Sequence, residues 1–358
     1  MSTNKTSNPL NVSGLRVGVV YWDKQGSIIS GISLALKYLG CEVINFPYAA
    51  KLPENLNVVF VCGPFGSLVP LVNQLVACPE SERPSLVYIM TEQLPNPDLP
   101  EWLRYAGGLM RSWLERLAFQ QQAQGDWRFH PQLSWLAAKG HRFRYYGDLY
   151  WLRREGLLSV LAIPSRWTAG FLRTRGFDPM VLPPSVNQGE DLELERDIAV
   201  LWIGKPGTTR RARLLKRLRA DLRERGVELL TIDGVEHPYV FGQERTILLN
   251  RTKVIVNILR EKWDDNSMRY VLAAPCRTLV ITEPTLPHSF FEPGVHLVET
   301  PFEKMADTIC YYLTHEEERQ QIVKRAYQLV TEQSGLEKIN QILERVLASR
   351  PNCVPRPG

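Results

Sequence analysis

Cysteine is scarce in this chain and follows no pattern. The six cysteines (41, 62, 78, 276, 310 and 353) lie far apart, with no C-x-x-C pair, and most sit among apolar residues, as in LGCEV and VFVCG. That distribution predicts buried free thiols in a reducing compartment and argues against a cysteine metal site, so no metal is expected. The six histidines show neither H-x-x-x-H nor H-E-x-x-H spacing, which removes the zinc-hydrolase patterns. A G-x-G-x-x-G fingerprint is absent from both VVYWDKQGS (19–27) and VCGPFGS (61–67), which disfavours a nicotinamide cofactor. No apolar run approaches the roughly 20 residues of a membrane span. The opening residues MSTNKTSNPLNVSG lack the apolar core of a signal peptide, so a cytoplasmic location is expected. Neither a short-period repeat nor a low-complexity tract interrupts the chain.

What remains is an ordinary globular composition on a long chain. The 358 residues are 44% hydrophobic and 23% charged, with a net charge of +5. This length favours two domains over one core. One local pattern recurs, an amphipathic helix, a glycine and a short apolar strand: GISLALKYLG-CEVINF, TAGFLRTRG-FDPMVLP and RLLKRLRADLRERG-VELLTID. Gly40, Gly176 and Gly226 fit the left-handed position that ends a helix. Alternating strands and helices with this punctuation predict parallel sheets covered by helices on both faces. The expected fold class is therefore α/β, with two Rossmann-like domains. The first spans 15–183 and the second 198–348, joined by a Pro-, Gly- and acid-rich linker at 184–197. Residues 1–14 and 349–358 are expected to be mobile ends.

Three segments carry candidate chemistry. In LWIGKPGTTRRARLLKRLRADLRERG (201–226) a strand ends at Gly204, and Thr208 or Thr209 is placed to cap the following helix. Free N–H groups at a helix start favour an anion. Lys205, Arg210 and Arg211 add positive charge there, which suits a diphosphate. The rest of the basic helix, 210–225, reads as a solvated face or as a contact with an anionic surface. A specific nucleic-acid interface is not expected, because no aromatic platform accompanies it. In KVIVNILREKWDDNSMRYVLAAPCRTLVITEP (253–284), Asn257 ends a core strand, and Asp264, Asp265, Asn266, Ser267 and Arg269 crowd the loop and helix start beyond it. Such groups can hold sugar hydroxyls or simply make a capped turn. In YIMTEQLPNP, Glu92 lies just past a strand and is a candidate general base, or a plain surface turn residue.

The C-terminal half resembles the group-1 glycosyltransferases of the GT-B fold, in particular the branch related to spore-coat maturation (CgeB-like) glycosyltransferases. WIGKPGTTRRARLLKRL, the long run from FGQERTILLN through TLVITE, FFEPGVHLVE and YYLTHEEERQQIVKRAYQLV carry the likeness, over roughly residues 198–345. The resemblance implies two Rossmann-like domains facing each other across a cleft and a nucleotide diphosphate sugar bound mainly by the second. No cofactor beyond that co-substrate is implied. Lys205, with Arg210 or Arg211, would hold the diphosphate, beside Gly204. Asn257, Asp265, Asn266, Ser267 and Arg269 would complete the nucleotide-sugar site, with Asp264 and Glu92 as the catalytic pair. Retention of anomeric configuration is also implied. The acceptor, whether glycan, lipid-linked or protein, is left open. This chain departs from the family pattern at Leu272, where a ribose-binding glutamate is usual, and at Arg277, where glycine is common. A catalytically degenerate nucleotide- or sugar-binding protein on the same fold is the alternative.

Overall fold

Strands buried at every position must be covered on both faces, and two of the chain's six-residue apolar strands are buried in this way. They are β3 (Val58–Gly63) and β4 (Ser85–Met90), near-continuous hydrophobic segments of the kind parallel sheets require. The structure is a computed structural model. It describes residues 12–21, 27–63, 67–122, 140–182, 189–263, 268–286, 290–332 and 335–349. Of the ends expected to be mobile (1–14 and 349–358), residues 1–11 and 350–358 lie outside the described residues, as do residues 184–188 of the expected linker (184–197).

The first sheet runs in the order β2-β1-β3-β4-β5-β6, with β1 at Arg16–Tyr21, β2 at Glu42–Pro47, β5 at Leu158–Ile163 and β6 at Met180–Val181. Its helices are α1 (Ser27–Tyr38), α2 (Val69–Ala77), α3 (Glu101–Gln122), α4 (His141–Arg154) and α5 (Arg166–Arg173). The second sheet runs β11-β10-β9-β7-β8 and is parallel throughout. It comprises β7 (Ile198–Ile203), β8 (Leu229–Ile232), β9 (Thr252–Asn257), β10 (Leu279–Thr282) and β11 (Val298–Glu299). Around it lie α6 (Thr209–Glu224), α7 (Gly242–Asn250), α8 (Met268–Ala273), α9 (Met305–Thr314) and α10 (Glu316–Glu332); the last helix is α11 (Gly335–Ser349). By contact the chain forms two compact units, Met1–Glu92 with Tyr105–Ala162 and Gly335–Gly358, and Gln93–Arg104 with Ile163–Ser334. Helix α11 packs on α1 within the first unit and buries Ile339, Ile342, Leu343 and Val346.

Strand alternation divides the second unit's core into two layers. Val200, Trp202, Val254 and Val256 face Leu215, Leu218 and Leu222 of α6 together with Met305 and Ile309 of α9. Leu201 and Ile255 face the opposite way, onto Leu249, Tyr270, Leu272, Phe291 and Val330. Successive side chains of a strand point to opposite faces, so one apolar run supplies both layers. Asn250 ties the segment before β7 to this unit, because its Nδ2 donates to the Glu190 carbonyl and its Oδ1 accepts from Leu192 N–H, each at 2.8 Å.

In the first unit, α3 and α4 approach closely enough that a Cβ on Gly147 would lie 2.0 Å from the Gly108 carbonyl oxygen. The contact buries charge. Ser112 donates to Asp148 Oδ1 at 2.6 Å; Glu115 pairs with Arg111 at 3.0 Å and with Arg144 at 3.2 Å. Burial raises the Asp148 carboxyl to about 6, against the opposing pull of Arg144 and of the Ser112 bond. Burial, with Asp148 next, also pushes Tyr88 well up. An unfolded aspartate titrates near 3.9. Between about pH 4 and pH 6 the folded chain therefore holds a proton that the unfolded chain has released, and stability falls as pH rises through that window. The unfolding free energy of the natural chain relative to Asp148→Asn is thus expected to drop by about 2 kcal/mol from pH 4 to pH 7. Denaturant melts of both proteins across the range check this, and a pH-independent difference would contradict it.

Candidate functional site

In the second sheet β7 lies between β9 and β8. The chain leaves β7 through α6 to reach β8 on one side, and later returns as β9 on the other. The direction of winding changes between β7 and β9, and in open α/β sheets the crevice beyond the carboxyl ends of two such strands is where ligands bind.

One side chain spans those two ends. Arg269, on the short helix α8, donates through Nη1 to Asn257 Oδ1 at 2.8 Å and through Nη2 to the Ile203 carbonyl at 2.8 Å. Its guanidinium lies 4.2 Å from the centroid of the buried Trp202 ring. Asn257 is fully buried and fixed by its own amide, which donates to Thr282 Oγ1 at 2.9 Å and to Tyr270 Oη at 3.2 Å. The last residues of β7, β9 and β10 are thus one hydrogen-bonded assembly.

Beyond β7 the backbone turns at Gly204, whose φ of 110° is strained for any residue with a side chain. A Cβ there would also meet Arg269 Nη2 at 3.4 Å. Trp202 Nε1 donates to the Gly204 carbonyl at 2.7 Å and Gly204 N–H donates to Ile232 at 2.9 Å, which pins the turn to β8. Thr208 caps α6, its Oγ1 accepting from Arg211 N–H at 3.2 Å. The positive end of a 16-residue helix therefore opens beside the strand ends.

The three basic residues of this turn have different environments. Lys205 is exposed, with Nζ 5.7 Å from the Tyr239 ring centroid. Arg210 makes a two-pronged pair with Glu283, at 2.5 and 3.1 Å, and also donates to the Leu259 carbonyl at 2.8 Å; the Glu283 carboxylate holds Arg210 above its ordinary pKa. Arg211 is buried, 5.5 Å from the Trp202 ring centroid, and donates to the Lys205 carbonyl at 3.5 Å. Further along α6, Arg219 pairs with Glu236 and Arg225, just past the helix, with Asp307.

Gly204, Lys205, Arg210, Arg211, Asn257 and Arg269 are thus gathered at one end of the second sheet. Asp264, Asp265, Asn266 and Ser267 lie outside the described residues. Glu92 belongs to the first unit, just past β4 and half-buried. Its charge adds to the burial that pushes the Cys62 thiol up to about 12. Leu272 packs in the apolar layer below the strand ends. Arg277 takes a left-handed φ of 50°, the conformation a glycine adopts at no cost, and its charge is met by Asp191 at 2.6 Å and the Tyr327 ring at 4.5 Å. The residue that sequence reading missed is Trp202, the floor under Arg269 and Arg211. Its signal was available, as a tryptophan two residues before the strand's terminal glycine. No group of three or more potential metal ligands is found among the described residues.

Removal of Arg269 leaves the buried Asn257 Oδ1 and the part-buried Ile203 carbonyl without this donor. Each such loss costs about 1–3 kcal/mol. Arg269→Ala is expected to lower the unfolding free energy by about 2–5 kcal/mol. Urea denaturation measures this, and a loss under about 1 kcal/mol would show that the bridge is not structural.

Residues 210–344 match the sequence model of a family described as glycosyl transferase-like. Comparison with curated proteins finds no match. Among solved structures, sucrose-phosphate synthase from Thermosynechococcus elongatus is similar, with 11% identity over 93% of this chain and 98% of that one, at a TM-score of 0.56. TarM of S. aureus, solved with UDP, is similar at 10% identity and a TM-score of 0.53, over 89% of this chain. This chain spans only 58% of that TarM structure. Anabaena Alr3699/HepE in complex with UDP-glucose is 12% identical over 94% of this chain and all of that one, at a TM-score of 0.50. At such identities the likeness establishes the fold alone. The two parallel sheets are those of the GT-B architecture, and the segment 210–344 is similar in sequence to the glycosyl transferase-like family.

Proposed function

We propose that this chain is a glycosyltransferase that moves a sugar from a nucleotide diphosphate sugar to an acceptor hydroxyl. The observation that carries the reading is the open start of α6, capped by Thr208 and turned at Gly204, beside strand ends bridged by Arg269. Backbone N–H groups at such a terminus attract phosphate oxygens, and Lys205 supplies an exposed cation. The match of residues 210–344 to the glycosyl transferase-like family supports the same reading, as do the UDP and UDP-glucose bound to neighbours of the same fold.

In this reading the acceptor oxygen bonds to the anomeric carbon while the bond from that carbon to the diphosphate oxygen breaks. The nucleoside diphosphate departs with the added negative charge, which the helix start and Lys205 offset. The acceptor's proton passes to a base, the role assigned to Glu92. Arg210 and Arg211 act on the diphosphate at one remove, since Glu283 and Trp202 hold their guanidinium groups. Asp264 and its neighbours Asp265, Asn266 and Ser267 are assigned to the sugar. Within the class, the order of WIGKPGTTRR and WDDNSMR supports the branch related to spore-coat maturation, with transfer under retention. One observation favours a second reading, a donor-binding protein without turnover: at the place of the usual ribose-binding carboxylate, Leu272 lies in the apolar layer.

Calorimetric titration with UDP, GDP and their sugars tests the proposal. Binding is expected for at least one diphosphate. Lys205→Ala should weaken it about ten-fold or more, as loss of a hydrogen bond to a charged group does, while Lys216→Ala, on the exposed part of the same helix, should leave it unchanged. No binding of any nucleoside diphosphate would overturn the proposal. Binding without product release for any acceptor would favour the second reading.

A further inference from the structure

Helix α3 is built inside out. Its buried polar positions are Arg104, Arg111, Ser112 and Glu115, at the spacing of a single helical face. Its outward positions are Trp102, Tyr105, Met110 and Trp113, exposed by 70%, 43%, 54% and 51%. A helix on a water-facing surface shows the opposite arrangement. Between Trp102 and Trp113 the sequence has two charged residues, Arg104 and Arg111, and both are turned inward.

The inversion is locked. Within the first unit, Arg111 and Glu115 are engaged with each other and with Arg144, and Ser112 with Asp148. Rotating the helix to hide its aromatics would break these buried pairs, and breaking a buried ion pair costs about 3–5 kcal/mol. The apolar face therefore has to stay outside.

Its border is cationic. Tyr105 meets Tyr150 edge-on, with ring centroids 4.8 Å apart, and the Arg153 guanidinium lies 4.9 Å from the Tyr150 centroid. Arg116 covers the Trp151 ring at 4.9 Å, and Arg153 and Arg154 are exposed at the end of α4. Burial, and then the like charge of Arg154, pushes Arg116 below its ordinary pKa against the opposing pull of Asp148 and Glu155, and Arg154 itself pairs with Glu155 at 3.0 Å.

We propose that the outward face of α3, with Arg116, Arg153 and Arg154 at its border, docks the protein on an anionic lipid surface. Tryptophan and tyrosine are favoured at headgroup depth because an apolar ring carries a polar edge. Arginine beside such rings draws in anionic headgroups. A self-contact is disfavoured, because a two-fold pairing of this face would bring like-charged borders together. The inference is independent of the proposed transferase activity.

Co-sedimentation of the full chain with phosphatidylcholine vesicles, with and without phosphatidylglycerol, tests it. Binding is expected only with the anionic lipid and should weaken as salt rises. Met110→Ser with Trp113→Ser should reduce it about ten-fold or more. Arg153→Ala and Arg154→Ala should each cost about five-fold. All four side chains point outward, so thermal melting should be unchanged, which separates lost docking from lost folding. Failure to bind anionic vesicles, equal binding to neutral ones, or full binding by the Met110→Ser/Trp113→Ser chain would overturn the proposal. So would a dimer in sedimentation velocity that this variant abolishes, or a Met110 that resists oxidation in the vesicle-free monomer. The first of these two results assigns the face to a second copy, and the second shows it already covered.

Discussion

The guanidinium of Arg269 holds together the ends of two strands that have nothing covalent in common there. A parallel sheet ends in carbonyls with no further strand partner. Arg269 donates to one strand's last carbonyl and to the other strand's terminal amide while lying on Trp202. Arginine is suited to this because its planar fork makes two bonds in fixed geometry and stacks on an aromatic face. Gly204 has to turn away above it, and the start of α6 follows from that turn. A diphosphate site there would be organised before any ligand arrives, which is the economy of preorganisation.

Much of the fold was legible in the sequence. IAVLWIG, KVIVN and TLVIT read as buried strands because both faces of a parallel sheet are covered and alternation disappears. The glycines closing RLLKRLRADLRERG and its relatives gave the rhythm of helix then strand, and Gly40, Gly176 and Gly226 all take positive φ. That Gly204 and Asn257 share one end of the sheet also follows from pattern, since each stands at or just past a strand's carboxyl end, and Arg269 opens the helix that follows β9. Sequence could not show which arginine reaches out. Arg210 and Arg211 are consecutive on a helix, so their side chains diverge by about 100°. One meets Glu283, a residue 73 positions away, and the other turns under the sheet onto Trp202. Those partners are fixed by tertiary contact and leave no local trace.

Helix α3 shows the same limit from the other side. Periodicity alone would turn the aromatics of α3 inward. Instead, Gly108 and Gly147 bring two backbones into contact, which leaves no room for large apolar side chains between them, and a charged network fills the seam. No helix among the described residues is long and apolar enough to cross a membrane. The exposed rings of α3 are compatible with that, because lying on a lipid surface needs one face where a span needs all of them.

The proposed function rests on the open start of α6 as an anion site for a nucleoside diphosphate. Amide hydrogen exchange with and without a nucleotide diphosphate sugar tests it most directly. Slowed exchange is expected at the N–H groups of residues 207–211, with little change at the distant end of α6. Slowing confined to other strand ends, or none at these amides under conditions where the donor binds, would contradict it.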